Sequence, residues 1–183
     1  MKTESTVKYI LRLTVTLLLI CAFVALALAG VNAITKDKIA ANKAAKTAAA
    51  LEKVLPGVEG LEKMELAADA GIVTGIYGAG NSYAVEVAPN GFGGAITMMV
   101  GIVDGKVTGI SIISHAETPG LGAVASQDTD KGVAFRDQFK GLISGIAIGD
   151  GENQIDSLSG ATISSQAIVD GVNAALEYVA KLG

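Results

Sequence analysis

Apolar residues run without a charge from Leu13 to Ile34, 22 positions bounded by Arg12 on one side and by Lys36, Asp37 and Lys38 on the other. As a helix rising about 1.5 Å per residue, the run spans roughly 33 Å, enough to cross a hydrocarbon core of about 30 Å. Residues 35–56 change character. Ala and Lys dominate there, Ile39, Leu51 and Val54 are the larger apolar side chains, and Pro56-Gly57 closes the segment. The pattern predicts a helical stalk with solvated charges. After it, β-rich runs follow: Gly71 to Tyr77 and Ser82 to Ala88, then Ala95 to Val103 and Lys106 to Ile113 around Asp104-Gly105. Asp-Gly between two β-branched runs is a strong hairpin signal. Gly132 to Phe139 predicts a short helix. Ile163, Ala167, Val172, Ala175, Leu176 and Val179 recur near helical spacing, so an amphipathic helix is expected from about Thr162 to Leu182. The expected organisation is a tail (1–12), one transmembrane helix (13–34), a helical stalk (35–56) and an α+β domain (57–183), an antiparallel sheet with packed helices.

Composition changes this picture little. Half of the 183 residues are hydrophobic, Trp is absent and Gly is abundant at 23, which suits a compact fold with many tight turns. A net charge of -4 without a long Lys/Arg run argues against nucleic acid as a partner. The single cysteine, Cys21, excludes an internal disulfide and any multi-Cys zinc or iron–sulfur site. No metal site is expected. Ala27-Leu28-Ala29 before Gly30 imitates a signal-peptide cleavage site, but the apolar run continues past it, so a retained anchor in contact with membrane lipid is expected. Basic residues flank both ends of that anchor, and the positive-inside rule does not choose its orientation.

Two loops hold the candidate chemistry. One, Ser114 to Gly122, follows the last β-rich run; the other, Asp156 to Thr162, precedes the C-terminal helix. A hydroxyl at a helix start can hold a phosphate where free N–H groups and the dipole favour negative charge. Gly160 and Ala161 leave room for a bulky group to approach Thr162. The plainer reading is that Thr162 is a helix cap. In the first loop Pro119 fixes φ, while Gly120 and Gly122 allow a flat ring to pack on bare backbone. Glu117 is an acceptor for an N–H, or else caps amides in a rigid turn. His115, the lone histidine, makes no metal site, and its role stays open. Gly120-Leu-Gly122-Ala-Val-Ala125 satisfies the dinucleotide fingerprint but lacks its strand–turn–helix context.

Asp156-x-x-Ser159-Gly160-Ala161-Thr162 resembles the D-x-x-[ST]-G-A-[TS] flavinylation motif of the extracytoplasmic FMN-binding domain family. Glu117-Thr118-Pro119-Gly120-Leu121-Gly122 resembles the family's E-T-P-G-L-G loop, in particular that of the G subunits of Rnf complexes and the C subunits of sodium-translocating NADH:quinone reductases. Gly91-Phe92-Gly93-Gly94 also matches the family pattern, and the likeness extends to the single N-terminal membrane helix. The resemblance implies FMN joined to Thr162 as a phosphoester by a flavin transferase. Ser159, Gly160 and Ala161 would shape the approach, Asp156 would serve recognition, and the Glu117–Gly122 loop would lie against the flavin. It further implies a non-catalytic electron carrier among other membrane subunits of an Rnf-type complex in the inner (cytoplasmic) membrane, with the FMN domain on the extracytoplasmic side. Compact length favours the Rnf member over its quinone-reductase counterpart. Two rival readings are an unmodified membrane-anchored binding module and a tethered flavin reductase, which ranks last because only His115 and Glu117 offer acid–base groups.

Overall fold

The structure, a computed structural model, describes residues 3–67 and 70–182. It opens with one continuous helix, α1 (Thr3–Val54), that runs unbroken through the tail, the apolar run and the stalk expected from sequence. This is the one helix among the described residues that is long and apolar enough to cross a membrane. The chain divides into two units, Met1–Ala45 and Lys46–Gly183. Within the first, Phe23, Leu26 and Ile34 are exposed along the helix. A helix apolar on its exposed surface suits hydrocarbon.

The second unit contains a five-stranded antiparallel meander in the order β1 (Glu62–Met64), β2 (Val73–Ala79), β3 (Ser82–Val87), β4 (Thr97–Val103) and β5 (Lys106–Ser114). The β4–β5 hairpin turns at Asp104 (φ 49°) and Gly105 (φ 74°), between the paired Val103 and Lys106. Positive φ at both central residues is what a two-residue turn of this hand requires. β4 is buried on both faces, which explains its unbroken apolar run. On one face Ile76, Val85, Val100 and Ile102 join Ile168, Val172 and Ala175 of the C-terminal helix α3 (Thr162–Ala180) in the main core. Each such large aliphatic side chain contributes about 1.5–3 kcal/mol when fully buried.

The opposite face is covered by the end of α1. Ala50, Val54 and Leu55 pack with Ala84, Met99 and Ile113. The compact unit therefore begins at Lys46, within the segment read from sequence as a solvated stalk. The reason is local. Gly101 leaves bare backbone where a Cβ would strike the Val54 carbonyl, and the Thr108 hydroxyl donates to that carbonyl at 2.6 Å. One of the unsatisfied carbonyls at the end of α1 is thereby bonded.

After β5 come a short 3-10 helix (Gly122–Ser126), which takes up most of the dinucleotide-like stretch, then α2 (Asp130–Asp137) and a two-stranded parallel pair, β6 (Ala147–Ile148) and β7 (Gln154–Ile155). α2 begins two residues before the expected Gly132, where Thr129 accepts from the Gly132 amide. Asn173 of α3 holds the segment before β6, accepting from the Gly145 and Ile146 amides at 3.0 and 2.9 Å. This clamp and the β6–β7 pair lead the chain to the start of α3.

Candidate functional site

The loop before α3 is held by side chains from two directions. Gln138 grips the backbone of Asp156, accepting from its N–H at 2.8 Å. Ser165 accepts from the Leu158 amide at 3.0 Å and donates to the Ala161 carbonyl at 3.0 Å. Gly160 sits at φ 73°, a backbone conformation closed to most L side chains, just before the helix. These constraints present Thr162 as the first residue of α3.

Thr162 is not the cap of that helix. The N-cap position belongs to Ala161, which has no side-chain oxygen, and α3 has no side-chain cap hydrogen bond and no acidic residue in its first turn. The Thr162 side chain is exposed, and its hydroxyl makes no hydrogen bond among the described residues. The helix therefore starts with orphan amides at its positive dipole end and a free hydroxyl together. The cap reading is set aside by this geometry.

The first loop meets this helix start across a cavity of about 350 Å³. Glu117, Thr118, Leu121 and Gly122 line one side, Gly160, Ala161, Thr162, Ile163 and Ser164 the other, and Phe92 completes the wall. That volume lies in the range of small-molecule sites. Phe92, Leu121 and Ile163 are exposed, so the cavity has an apolar rim beside a polar helix end. Pro119, Gly120 and Ser159 flank the cavity without lining it, and the exposed Asp156 stands outside it. The residues present fit a ligand with a flat apolar body and an anionic group.

Glu117 is the internal knot of this site. It is buried, accepts the Gly93 amide at 3.0 Å through Oε1, and accepts the Ser164 hydroxyl at 2.5 Å through Oε2. Bare backbone makes room for it: a Cβ on Gly91 would strike Oε1, and one on Gly122 would strike the Ser164 hydroxyl. The carboxylate thus ties together the Gly91–Gly94 turn, its own loop and the first turn of α3. His115 holds the loop from behind. Ser126 donates its hydroxyl proton to the Ala123 carbonyl at 2.9 Å, so it accepts from His115 Nε2 at 2.9 Å. The Glu117 amide in turn donates to Nδ1 at 3.2 Å. These partners assign a neutral imidazole protonated at Nε2.

Sequence reasoning did not find Ser164, whose partner lies 47 residues away, nor Ile163 as a rim residue. Ile163, expected on the apolar stripe of α3, is instead exposed, because the first turn of the helix faces the cavity rather than the core. Ser164 carried no signal in the sequence.

Residues 91–177 match the FMN-binding domain, and residues 1–54 match the RnfG N-terminal region. The match makes this unit an FMN-binding domain, preceded in the chain by a helix of membrane-spanning length. The G subunit of the ion-translocating oxidoreductase complex of Methanosarcina acetivorans is 32% identical over 184 residues, covering 94% of this chain and 95% of its own. The G subunit of the Na(+)-translocating ferredoxin:NAD(+) oxidoreductase complex of Acetobacterium woodii is 32% identical, covering 96% of this chain and 94% of its own. Its counterpart in the proton-translocating ferredoxin:NAD(+) oxidoreductase complex of Clostridium ljungdahlii is 41% identical over 99 residues, a match spanning about half of each protein (54% and 53%). The solved C subunit of the Na(+)-translocating NADH-quinone reductase of Parabacteroides distasonis superposes with a TM-score of 0.46 at 21% identity, over 64% of this chain and 72% of that one. The chain belongs to the family of G subunits of ion-translocating oxidoreductase complexes.

Proposed function

We propose that this chain carries FMN esterified to Thr162 and relays electrons within an Rnf-type complex that couples ferredoxin:NAD oxidoreduction to ion movement. The free Thr162 hydroxyl at an uncapped helix start, lining the cavity, is the observation that carries this reading. When bound, FMN supplies one- and two-electron redox chemistry. The chain's own residues hold, orient and shield it. The first-turn amides of α3 face a phosphate with their positive dipole end, Gly160 permits the turn that presents Thr162, and Phe92, Leu121 and Ile163 cover an apolar ring. Glu117 has both oxygens engaged, so its part is to hold the cavity's walls together.

Attachment balances as a transfer from FAD. The Thr162 Oγ–P bond forms at the FMN phosphorus as the P–O bond to AMP breaks, and the hydroxyl proton is given up with the leaving group. A flavin transferase is the partner for that step, and the exposed Asp156 outside the cavity is where it would recognise the loop. The reading places α1 in the cytoplasmic (inner) membrane, contacting lipid and the other membrane subunits, with the FMN domain on the extracytoplasmic side.

The test is co-expression of the full chain with a flavin transferase, then a denaturing gel viewed under ultraviolet light beside Thr162→Ala. A fluorescent wild-type band with a dark variant is the expected result. A dark wild-type band, with a control substrate modified in the same cells, would sink the proposal and leave a membrane-anchored module without covalent flavin.

A further inference from the structure

A second cavity, of about 390 Å³, lies between the last turns of α1 and strand β5. It exists because small residues face one another there: Ala49 and Ala50 on the helix, Ser111 on the strand. It is open to solvent on the side of the exposed Lys46 and Lys53. Its polar lining is one-sided. Lys46 and Lys53 bring ammonium groups, Ser111 and Ser114 bring hydroxyls, and no carboxylate lines it.

Ser111 is the informative residue. It is 9% exposed, it lines the cavity, and its hydroxyl has no hydrogen-bond partner among the described residues. Among the described residues no buried side-chain polar atom lacks a partner, so this hydroxyl opens onto the cavity and is available to a group that enters it. Lys46 makes no ion pair among the described residues. Lys53 reaches only the exposed Asp128, at 3.6 Å, and that carboxylate is already engaged by Arg136 at 2.9 Å.

We infer that this cavity binds the phosphate group of a small phosphate monoester. Two mobile ammonium groups with hydroxyl donors suit a tetrahedral dianion that accepts from many directions. A planar carboxylate is better matched by an arginine fork, which this cavity lacks. The space exceeds what a bare phosphate fills, leaving room for an organic substituent along Ala49 and Ala50. The site does not rest on the flavin reading, although His115 lines this cavity while its Nδ1 accepts from Glu117 of the other.

The experiment uses the full chain in non-ionic detergent, titrated with inorganic phosphate and phenyl phosphate against sodium chloride of matched ionic strength. Thermal shift and phosphorus-31 line broadening are the readouts. Nanodiscs with and without phosphatidic acid form a parallel arm, because a lipid headgroup offers the same chemistry. The expected result is a rise in melting temperature with phenyl phosphate, and binding weakened roughly tenfold or more in Lys46→Gln/Lys53→Gln, as loss of charged hydrogen bonds entails. Ser111→Val, which removes the hydroxyl and fills the gap, should abolish binding, whereas Ser111→Ala should retain part of it. A response confined to phosphatidic acid and lost in the lysine double variant assigns the same site to a lipid. If neither arm gives a response that these substitutions remove, the site does not exist.

Discussion

The helices α2 and α3 begin in opposite ways. At α2, Thr129 lies in extended backbone (φ −93°, ψ 159°), its hydroxyl accepts from the Gly132 amide, and Asp130 places a negative charge in the first turn. At α3, Ala161 occupies the cap position at φ −132°, ψ 41°, no side chain caps the helix, and the first turn has no acid. A threonine stands at both starts, yet one residue of displacement separates their roles. At the cap position a hydroxyl is consumed by its own helix; at the next position it is left exposed while the amides beside it stay unmet. α3 therefore gives up ordinary capping and leaves a hydroxyl and an anion-favouring dipole end at the same place.

The strongest response should come from Thr162→Ala, which is expected to remove covalent flavin entirely while shifting stability by less than about 0.5 kcal/mol. In-gel fluorescence and chemical denaturation of one preparation check both halves. Next in size is Glu117→Ala, which strands the Ser164 hydroxyl and the Gly93 amide. A loss of about 3 kcal/mol is expected from these two buried partners, read as a lower denaturation midpoint at unchanged slope. Glu117→Gln keeps an acceptor and should lose clearly less; equal losses would show that the knot is not what stabilises the site. Thr129→Ala should cost about 1 kcal/mol and leave flavin attachment intact, the reverse of the Thr162 result. If Thr129→Ala left stability unchanged, the contrast between the two helix starts would collapse.

A weaker response is expected on the sheet, away from both helix starts. Burial, and then the nearby Glu86 carboxylate, push the Tyr77 phenol above its ordinary value of 10.0. The folded state therefore resists losing this proton more than the unfolded chain does. The associated stability is complete below pH 10 and is lost as pH rises from there. Tyr77→Phe should flatten that alkaline decline in denaturation midpoints measured from about pH 9 to about pH 12, without touching either helix start.

Much of the fold was legible where local chemistry decides. The Asp104-Gly105 turn, the four longer strands and the start of α3 at Thr162 are dictated by residues next to one another. β1 was not legible, because Glu62-Lys63-Met64 is exposed, three residues long and without a β-branched side chain. β6 and β7 are two residues each and exist through long-range pairing. The packing of Ala50 and Val54 onto the sheet was hidden as well, since an Ala- and Lys-rich helix shows no apolar stripe and the matching gap at Gly101 lies far along the chain. The two loops announced themselves by glycine, proline and hydroxyl chemistry, but their meeting across one cavity depends on the Glu117–Ser164 bond.

That bond carries a consequence in time. Gly93 and Ser164 lie 24 and 47 residues from Glu117, so the knot is complete only when both distant segments have met its loop. Contacts of such long sequence separation are intrinsically slow to form, because loop closure must precede their reward. The cavity beside Thr162, walled by residues from 92 to 164, is accordingly absent from any chain in which those segments are apart. Any modification that reads the assembled cavity thereby inspects the finished domain, and the fraction of chains modified becomes a count of those that folded first.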